Sequence, residues 1–253
     1  MHEKELYDYL ISEYQQPFSG WDFSYLAGRR ETIRPQVTWE YTGLVRDAIR
    51  DVDSLLDMDT GGGEFLLSLQ PLPPRTAATE SYLPNVPVAK QNLEPLGVRV
   101  VAPESDDHLP FPDAYFDLII NRHGAFSASE IARTLRAGRR FITQQVGGQT
   151  NARLHELLEG KPKQSDWDLA TAVSQLADAG MHVLEQHEAF PITRYRDIGA
   201  IVYYLKAVAW EIPDFSVEQY FDRLVAIHRM MERDGHVDIP FHHFLIVAEK
   251  PSA

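Results

Sequence analysis

Residues 52–64 read VDSLLDMDTGGGE, an apolar run that ends in an acid and passes into three consecutive glycines. Glycines that crowd the carboxyl end of a strand and lead into a helix let a ligand approach bare backbone, as nucleotide-like cofactors require. The next strand-like run, Thr76 to Thr79, ends at Glu80. An acid in that place accepts hydrogen bonds from both hydroxyls of a ribose. The glycine run and the acid together point to a nucleotide-like ligand more firmly than either does alone.

Outward from this stretch, apolar runs recur with helix-like segments between them. Ser54 to Met58, Thr76 to Thr79, Val98 to Ala102, Asp117 to Asn121 and Arg140 to Val146 read as strands. Glu64 to Leu72, Asn85 to Leu96 and Ser127 to Leu135 read as helices, the first stopped by Pro71, Pro73 and Pro74. Such alternation predicts βαβ units and a parallel sheet with helices on both faces. Beyond Gly147 and Gly148, helices are expected over Asn151 to Leu158, Asp168 to Ala179 and Ser216 to Arg233, with further strands at Val183 to His187 and Phe241 to Lys250. Arg194 to Pro213 is rich in aromatics and breaks the rhythm, so it is expected as a small inserted cap. Residues 1–50 carry Trp21, Phe23, Tyr25, Trp39 and Tyr41, which predicts an N-terminal helical extension over the sheet edge or the cofactor mouth. Nothing splits the chain by composition, so a single domain over 1–253 is expected.

Composition narrows the class. At 253 residues and 44% hydrophobic content the chain is large enough for a proper core. Its formal net charge of -13 argues against a surface that tracks a phosphate backbone, which needs clustered Lys and Arg. With no cysteine there is no disulfide, thiolate zinc site or cysteine nucleophile. No run approaches the ~20 apolar residues of a membrane span, and the N-terminus lacks a signal-peptide core. A soluble cytoplasmic protein is the expectation.

LLDMDTGGGEFL followed by ATESY, then HLPFPDAYFDLIINRH, then LRAGRRFITQQVGG, resembles the class I S-adenosylmethionine-dependent methyltransferases over roughly residues 50–148. The resemblance implies a Rossmann-like seven-stranded sheet of order 3-2-1-4-5-7-6, with the seventh strand antiparallel, and S-adenosylmethionine as cofactor. By motif, Asp57, Asp59, Gly61 and Gly63 fall at the methionine part of that cofactor, Glu80 at its ribose, and Ser81 and Tyr82 beside the adenine. The adenine amino group is read by Ser105 or by Asp106, and Asn121 ends the fourth strand at the cofactor. Three positions depart from the family pattern: Asp59 replaces the first glycine of D-x-G-x-G, and Ala137 and Arg139 replace a proline and a glycine in L-R-P-G-G.

His123, just past Arg122, is the candidate for acid/base catalysis, since imidazole titrates near neutral pH. The alternative is a plain turn residue, and many methyl transfers need only positioning because the sulfonium already activates the methyl. Arg122, Tyr203, Tyr204 and Trp210 are candidate acceptor-binding residues, although the tyrosines also fit the apolar face of a helix, GAIVYYLKAVAW. The basic cluster Arg133, Arg136, Arg139 and Arg140 reads as a solvated helix end. No metal site is predicted, because His242 and His243 are adjacent and point to opposite faces of a strand. The leading expectation is methyl transfer to a small molecule. An RNA acceptor and a non-catalytic S-adenosylmethionine-binding protein are the alternatives. An NAD enzyme is the weakest rival, for want of G-x-G-x-x-G.

Overall fold

The computed structural model describes residues 2–18, 22–33, 37–105, 107–159 and 165–252. Its chain divides into two compact units, one of Met1–Gln36, Gly148–Ser165 and Phe190–His242, the other of Val37–Gly147, Asp166–Ala189 and His243–Ala253.

The second unit holds a seven-stranded sheet of β2 (Ser54–Met58), β3 (Arg75–Thr79), β4 (Arg99–Val101), β5 (Phe116–Arg122), β6 (Leu135–Val146), β7 (His182–Ala189) and β10 (His243–Glu249). Their spatial order is β4-β3-β2-β5-β6-β10-β7, with β10 antiparallel to both neighbours. Numbered within the sheet, this is the expected 3-2-1-4-5-7-6. The helices α2 (Tyr41–Ile49), α3 (Glu64–Leu67), α4 (Val86–Leu93), α5 (Ala128–Thr134) and α7 (Leu169–Asp178) belong to the same unit. Every residue of β2 is buried. Alternate residues supply two apolar clusters, Leu55, Leu118 and Ile120 in one, Leu56, Ile119 and Phe116 in the other. A period of two with both sets apolar is what a sheet covered on both faces requires.

Two elements of this unit depart from the sequence reading. The helix expected over Glu64 to Leu72 ends at Leu67, where Ser68 turns its hydroxyl back to the Phe65 carbonyl at 2.7 Å. The strand expected from Arg140 starts at Leu135, which pairs with Phe116 across a register shift. The basic cluster is also not a solvated helix end. Arg133 donates to Glu130, Asp113 and the carbonyls of Leu109 and Phe111, while Arg136 lies 2.9 Å from Asp117 and Arg139 lies 3.4 Å from it. These bonds hold the LPFPDAYFDL segment against the sheet.

The first unit is built from α1 (Glu3–Gln15), β1 (Arg30–Ile33), α6 (Ala152–Glu159), β8 (Ile192–Tyr195), α8 (Ile198–Ala207), α9 (Val217–Asp234) and β9 (Val237–Pro240). Its strands form an antiparallel sheet of order β1-β8-β9. The segment 194–213, expected as a cap, is instead the middle of this unit: Arg194 and Tyr195 are in β8, and Ile198 to Leu205 of α8 are all buried. A helix apolar on every side is a core helix. Asp197 caps it through the Ala200 N–H at 3.0 Å and pairs with Arg29, which also reaches Glu13 of α1. The extension expected over 1–50 is likewise divided, with α1 and β1 in this unit and α2 in the other, and Trp21 lies outside the described residues. Among the described residues no helix is long and apolar enough to cross a membrane.

Candidate active site

Open α/β sheets bind ligands beyond the carboxyl ends of their strands, at the point where the strand order reverses. In this sheet that point is β2, flanked by β3 on one side and β5 on the other. The loop after β2 is drawn tight by backbone geometry. Asp59, Gly61 and Gly63 all have positive φ, at 53°, 65° and 88°. Glycine takes that region freely and aspartate better than most residues. At Gly63 a second reason applies, since a Cβ there would lie 2.7 Å from Leu93 Cγ.

Two buried acids organise the crevice. Asp57 accepts from the Thr60 hydroxyl at 2.6 Å. Burial pushes its carboxyl up to about 7, and the nearby Asp59 and Glu80 add to the rise against the Thr60 hydrogen bond and Arg122. Glu80, directly after β3, accepts from the Gly61 N–H at 2.6 Å and from the Tyr82 N–H at 2.7 Å, one on each oxygen. It therefore straps the loop after β2 to the loop after β3. Its carboxyl is raised by burial, opposed by the Tyr82 and Gly61 amides. Each carboxylate oxygen keeps a second acceptor direction. Beside it, Tyr82 and Leu83 are 63% and 72% exposed, a bare apolar pair at the mouth of a polar crevice.

The departure at Asp59 has a structural consequence. Its Oδ1 accepts from the N–H and the hydroxyl of Ser81, and a Cβ on Gly124 would lie 2.5 Å from its Oδ2. The side chain thus lies across the carboxyl end of β2, between the loops after β3 and β5. Ser105 is exposed, its hydroxyl accepting the Asp107 N–H at 3.0 Å. Asp106 lies outside the described residues.

On the β5 side, the Asn121 side chain is fully buried and engaged with the sheet. Its Oδ1 accepts from Thr143 Oγ1 at 3.0 Å and Gln145 Nε2 at 2.5 Å, and its Nδ2 faces the Met58 carbonyl at 3.4 Å. The carboxamide ties β5 to β2 and β6. Arg122 is exposed, with its guanidinium 5.2 Å from the Phe65 ring centroid. His123 is exposed and has φ of 69°. Its N–H donates to the Gln144 carbonyl at 2.8 Å, its Nε2 lies 3.0 Å from Gln144 Nε2, and its ring lies 5.7 Å from that of His243. Desolvation by the surrounding protein, then His243 and Arg122, hold its pKa well below the usual imidazole range.

The remaining candidates belong to the other unit. Tyr203 and Tyr204 are 2% and 5% exposed, the first donating to the Pro17 carbonyl at 3.1 Å and the second accepting from Asn151 Nδ2 at 2.9 Å. Their rings and hydroxyls are used within that unit's core, which corrects the expectation that they line an open pocket. Trp210, past α8, is 63% exposed. His242 is buried against Phe190 and His243 opens β10, so the two belong to different units. Sequence reasoning missed Thr60, Trp39 and Gln144; the last two touch across 105 residues of chain, and no local pattern announces such a contact.

Residues 56–145 match a family model described as a methyltransferase domain. Among solved structures, a Bacillus halodurans C-125 protein described as a methyltransferase aligns at 18% identity and TM-score 0.62, covering 84% of this chain and 99% of its own. The [4+2]-cyclase SpnF aligns at 15% identity and TM-score 0.54, covering 98% and 96%. A geranyl diphosphate methyltransferase in complex with SAM aligns at 16% identity and TM-score 0.50, covering 83% and 84%. No curated protein sequence matches the chain. The sheet order is that of the methyltransferase fold, and residues 56–145 are the segment that matches the methyltransferase-domain model. Over the rest of the chain the likeness to these structures is one of fold.

Proposed function

We propose that the chain transfers the methyl group of S-adenosylmethionine to a small-molecule acceptor, with the cofactor in the crevice between residues 57–63 and 80–83. The observation that carries this reading is Glu80, a buried carboxylate at the end of β3 with an acceptor direction left on each oxygen, beside the exposed ring of Tyr82. Glu80 takes the ribose hydroxyls, and Ser81 and Tyr82 flank the adenine with Ser105 near its edge. Asp57, Asp59, Gly61 and Gly63 face the methionine part, and nothing lies within 4 Å of where a Cβ on Gly61 would stand. Room above bare backbone fits a ligand of this kind. The Asn121 side chain acts from behind, holding the end of β5 in place. Once bound, the cofactor supplies an activated methyl on a sulfonium, so the chain's own task is to orient the acceptor and exclude water.

A small-molecule acceptor is favoured over RNA by the net charge of -13 and by the pairing of Arg133, Arg136, Arg139 and Arg140 with acids. SpnF is a cyclase on the same fold, which keeps a function other than methyl transfer as the alternative.

Asp59 decides how well the site works. The cofactor's own carboxylate belongs near the glycine loop, where the Asp59 carboxyl group stands in place of a glycine and opposes a second acid. Two like unit charges about 4 Å apart in water repel by roughly 1 kcal/mol, about fivefold in affinity. Calorimetric titration of the parent and of Asp59→Gly with S-adenosylmethionine is expected to show tighter binding by the variant, the gap narrowing as salt rises. Equal or weaker binding by the variant refutes the repulsion. Absence of binding by both folded proteins refutes the cofactor site itself.

A further inference from the structure

The contacts of Gln144 determine which nitrogen of His123 carries a proton. An indole N–H only donates, and that of the buried Trp39 lies 2.8 Å from Gln144 Oε1. The carboxamide is therefore oriented with its oxygen toward Trp39, a choice made by the chemistry of the partner. Its NH2 group then faces His123 Nε2 at 3.0 Å. An NH2 group has hydrogens and no usable lone pair, so it meets a favourable contact only if Nε2 is bare.

The arrangement is held on every side. Arg122 and Gln144 are register partners on β5 and β6, and the His123 N–H bonds the Gln144 carbonyl at 2.8 Å. The Trp39 ring is stacked on His187 at 5.8 Å between centroids. The positive φ of His123 sets the start of the turn that leaves the strand. A second proton on the ring is disfavoured first by desolvation and then by His243 and Arg122 beside it.

We infer that Trp39 and Gln144 are positioning residues that fix His123 as the neutral Nδ1–H tautomer, so that the imidazole presents a hydrogen-bond donor to a bound acceptor molecule and does not remove a proton from it. Among the described residues Nδ1–H has no hydrogen-bond acceptor. The group it suits is a carbonyl, carboxylate or hydroxyl oxygen with a free lone pair. Under the methyltransferase reading, the attacking atom's lone pair forms the new bond to the methyl carbon as the carbon–sulfur pair passes to sulfur, and any proton on that atom leaves to water. The tautomer assignment itself holds whatever the cofactor. It replaces the expectation that His123 is a general base.

The test is the protonation pattern of the ring in protein with 15N-labelled histidine, read by long-range proton–nitrogen correlation. The ten histidines are sorted by the resonances that vanish in His123→Asn, a residue that also tolerates positive φ. The parent is expected to show a protonated Nδ1 and a bare Nε2. In Gln144→Glu the side chain only accepts, so Nε2 must gain a proton, and its nitrogen resonance moves from the bare to the protonated range. In Trp39→Phe the carboxamide is released to turn over, and the two tautomers average. A parent with Nε2–H, or a folded Gln144→Glu with Nε2 still bare, overturns the assignment. If Gln144→Glu does not fold, the parent spectrum and Trp39→Phe decide it: a Trp39→Phe spectrum unchanged from the parent removes Trp39 from the relay.

Discussion

Replacing Asp117 with alanine is expected to destabilise the protein by about 3–5 kcal/mol, the range for breaking a buried charge pair by removing one partner. Asp117 is 3% exposed. Its Oδ2 accepts from the N–H groups of Asp53 and Ser54, each at 3.1 Å, and from the Ser54 hydroxyl at 2.8 Å; its Oδ1 accepts from Arg136 at 2.9 Å. One carboxylate thus ties the start of β2, the strand that leads into the glycine loop, to β5 and β6. Truncation strands the buried Ser54 N–H as well as the guanidinium. Asp117→Asn keeps the shape but turns an acceptor into a donor, and should fall between the two. Arg139→Ala should cost under about 1 kcal/mol, since its side chain is 42% exposed and lies 3.4 Å from a carboxylate that Arg136 already holds more closely. Urea unfolding at constant slope reads these differences. A loss below about 1 kcal/mol for Asp117→Ala contradicts the account.

The pH dependence has a definite sign. Burial pushes the Asp117 carboxyl up, but Ser54, Arg136 and the Asp53 amide together outweigh it and hold the group below its ordinary range. A group with a depressed folded pKa adds stability that is fully present above the unfolded value of about 3.9 and is lost as the pH falls through the folded value. The parent should therefore lose more stability on acidification below about pH 4 than Asp117→Asn does.

The second large effect is on ligand affinity. Glu80→Ala is expected to weaken S-adenosylmethionine by about 1.5–3 kcal/mol, roughly 10- to 150-fold, the range for hydrogen bonds to a charged group. Part of that loss comes from the loop, because Glu80 also holds the Gly61 and Tyr82 amides. Glu80→Gln separates the two contributions, since its remaining oxygen keeps one amide bond but its NH2 cannot accept from a ribose hydroxyl. Calorimetry on the three proteins measures the series. Unchanged affinity in folded Glu80→Ala removes Glu80 from the ribose site.

Much of the sheet was legible because its strands are apolar on both faces and punctuated by glycine and proline. Ser54–Met58 stands at the bounds read from the sequence, and the LPFPDAYFDLI motif owes its distinctness to residues that each do a structural task. Asp113 pairs with Arg133, Asp117 with Ser54 and Arg136, and Phe111 packs edge-on against Phe116. The small antiparallel sheet was not legible. Its strands RETI, ITRY and VDIP are four residues long and carry charges, too short a run for period-two alternation to stand out from the loops around them. The helix at 198–207 has no polar face to reveal that a second core surrounds it. Within the site, the strand-end acids and glycines were readable from their positions. The bonds of Asp59 to Ser81 and of Gln144 to Trp39 and His123 join residues 21 to 105 positions apart, and pairing of that kind exists only in the fold.

The central claim is methyl transfer from S-adenosylmethionine to a small molecule. Its most direct test is incubation of the protein with methyl-labelled S-adenosylmethionine and, separately, the small-molecule and RNA fractions of its source cells, followed by mass spectrometry of each. The account predicts label in the small-molecule fraction, S-adenosylhomocysteine formed in equal amount, and loss of both with Glu80→Ala. Label confined to RNA, or cofactor binding with no label in either fraction, contradicts it.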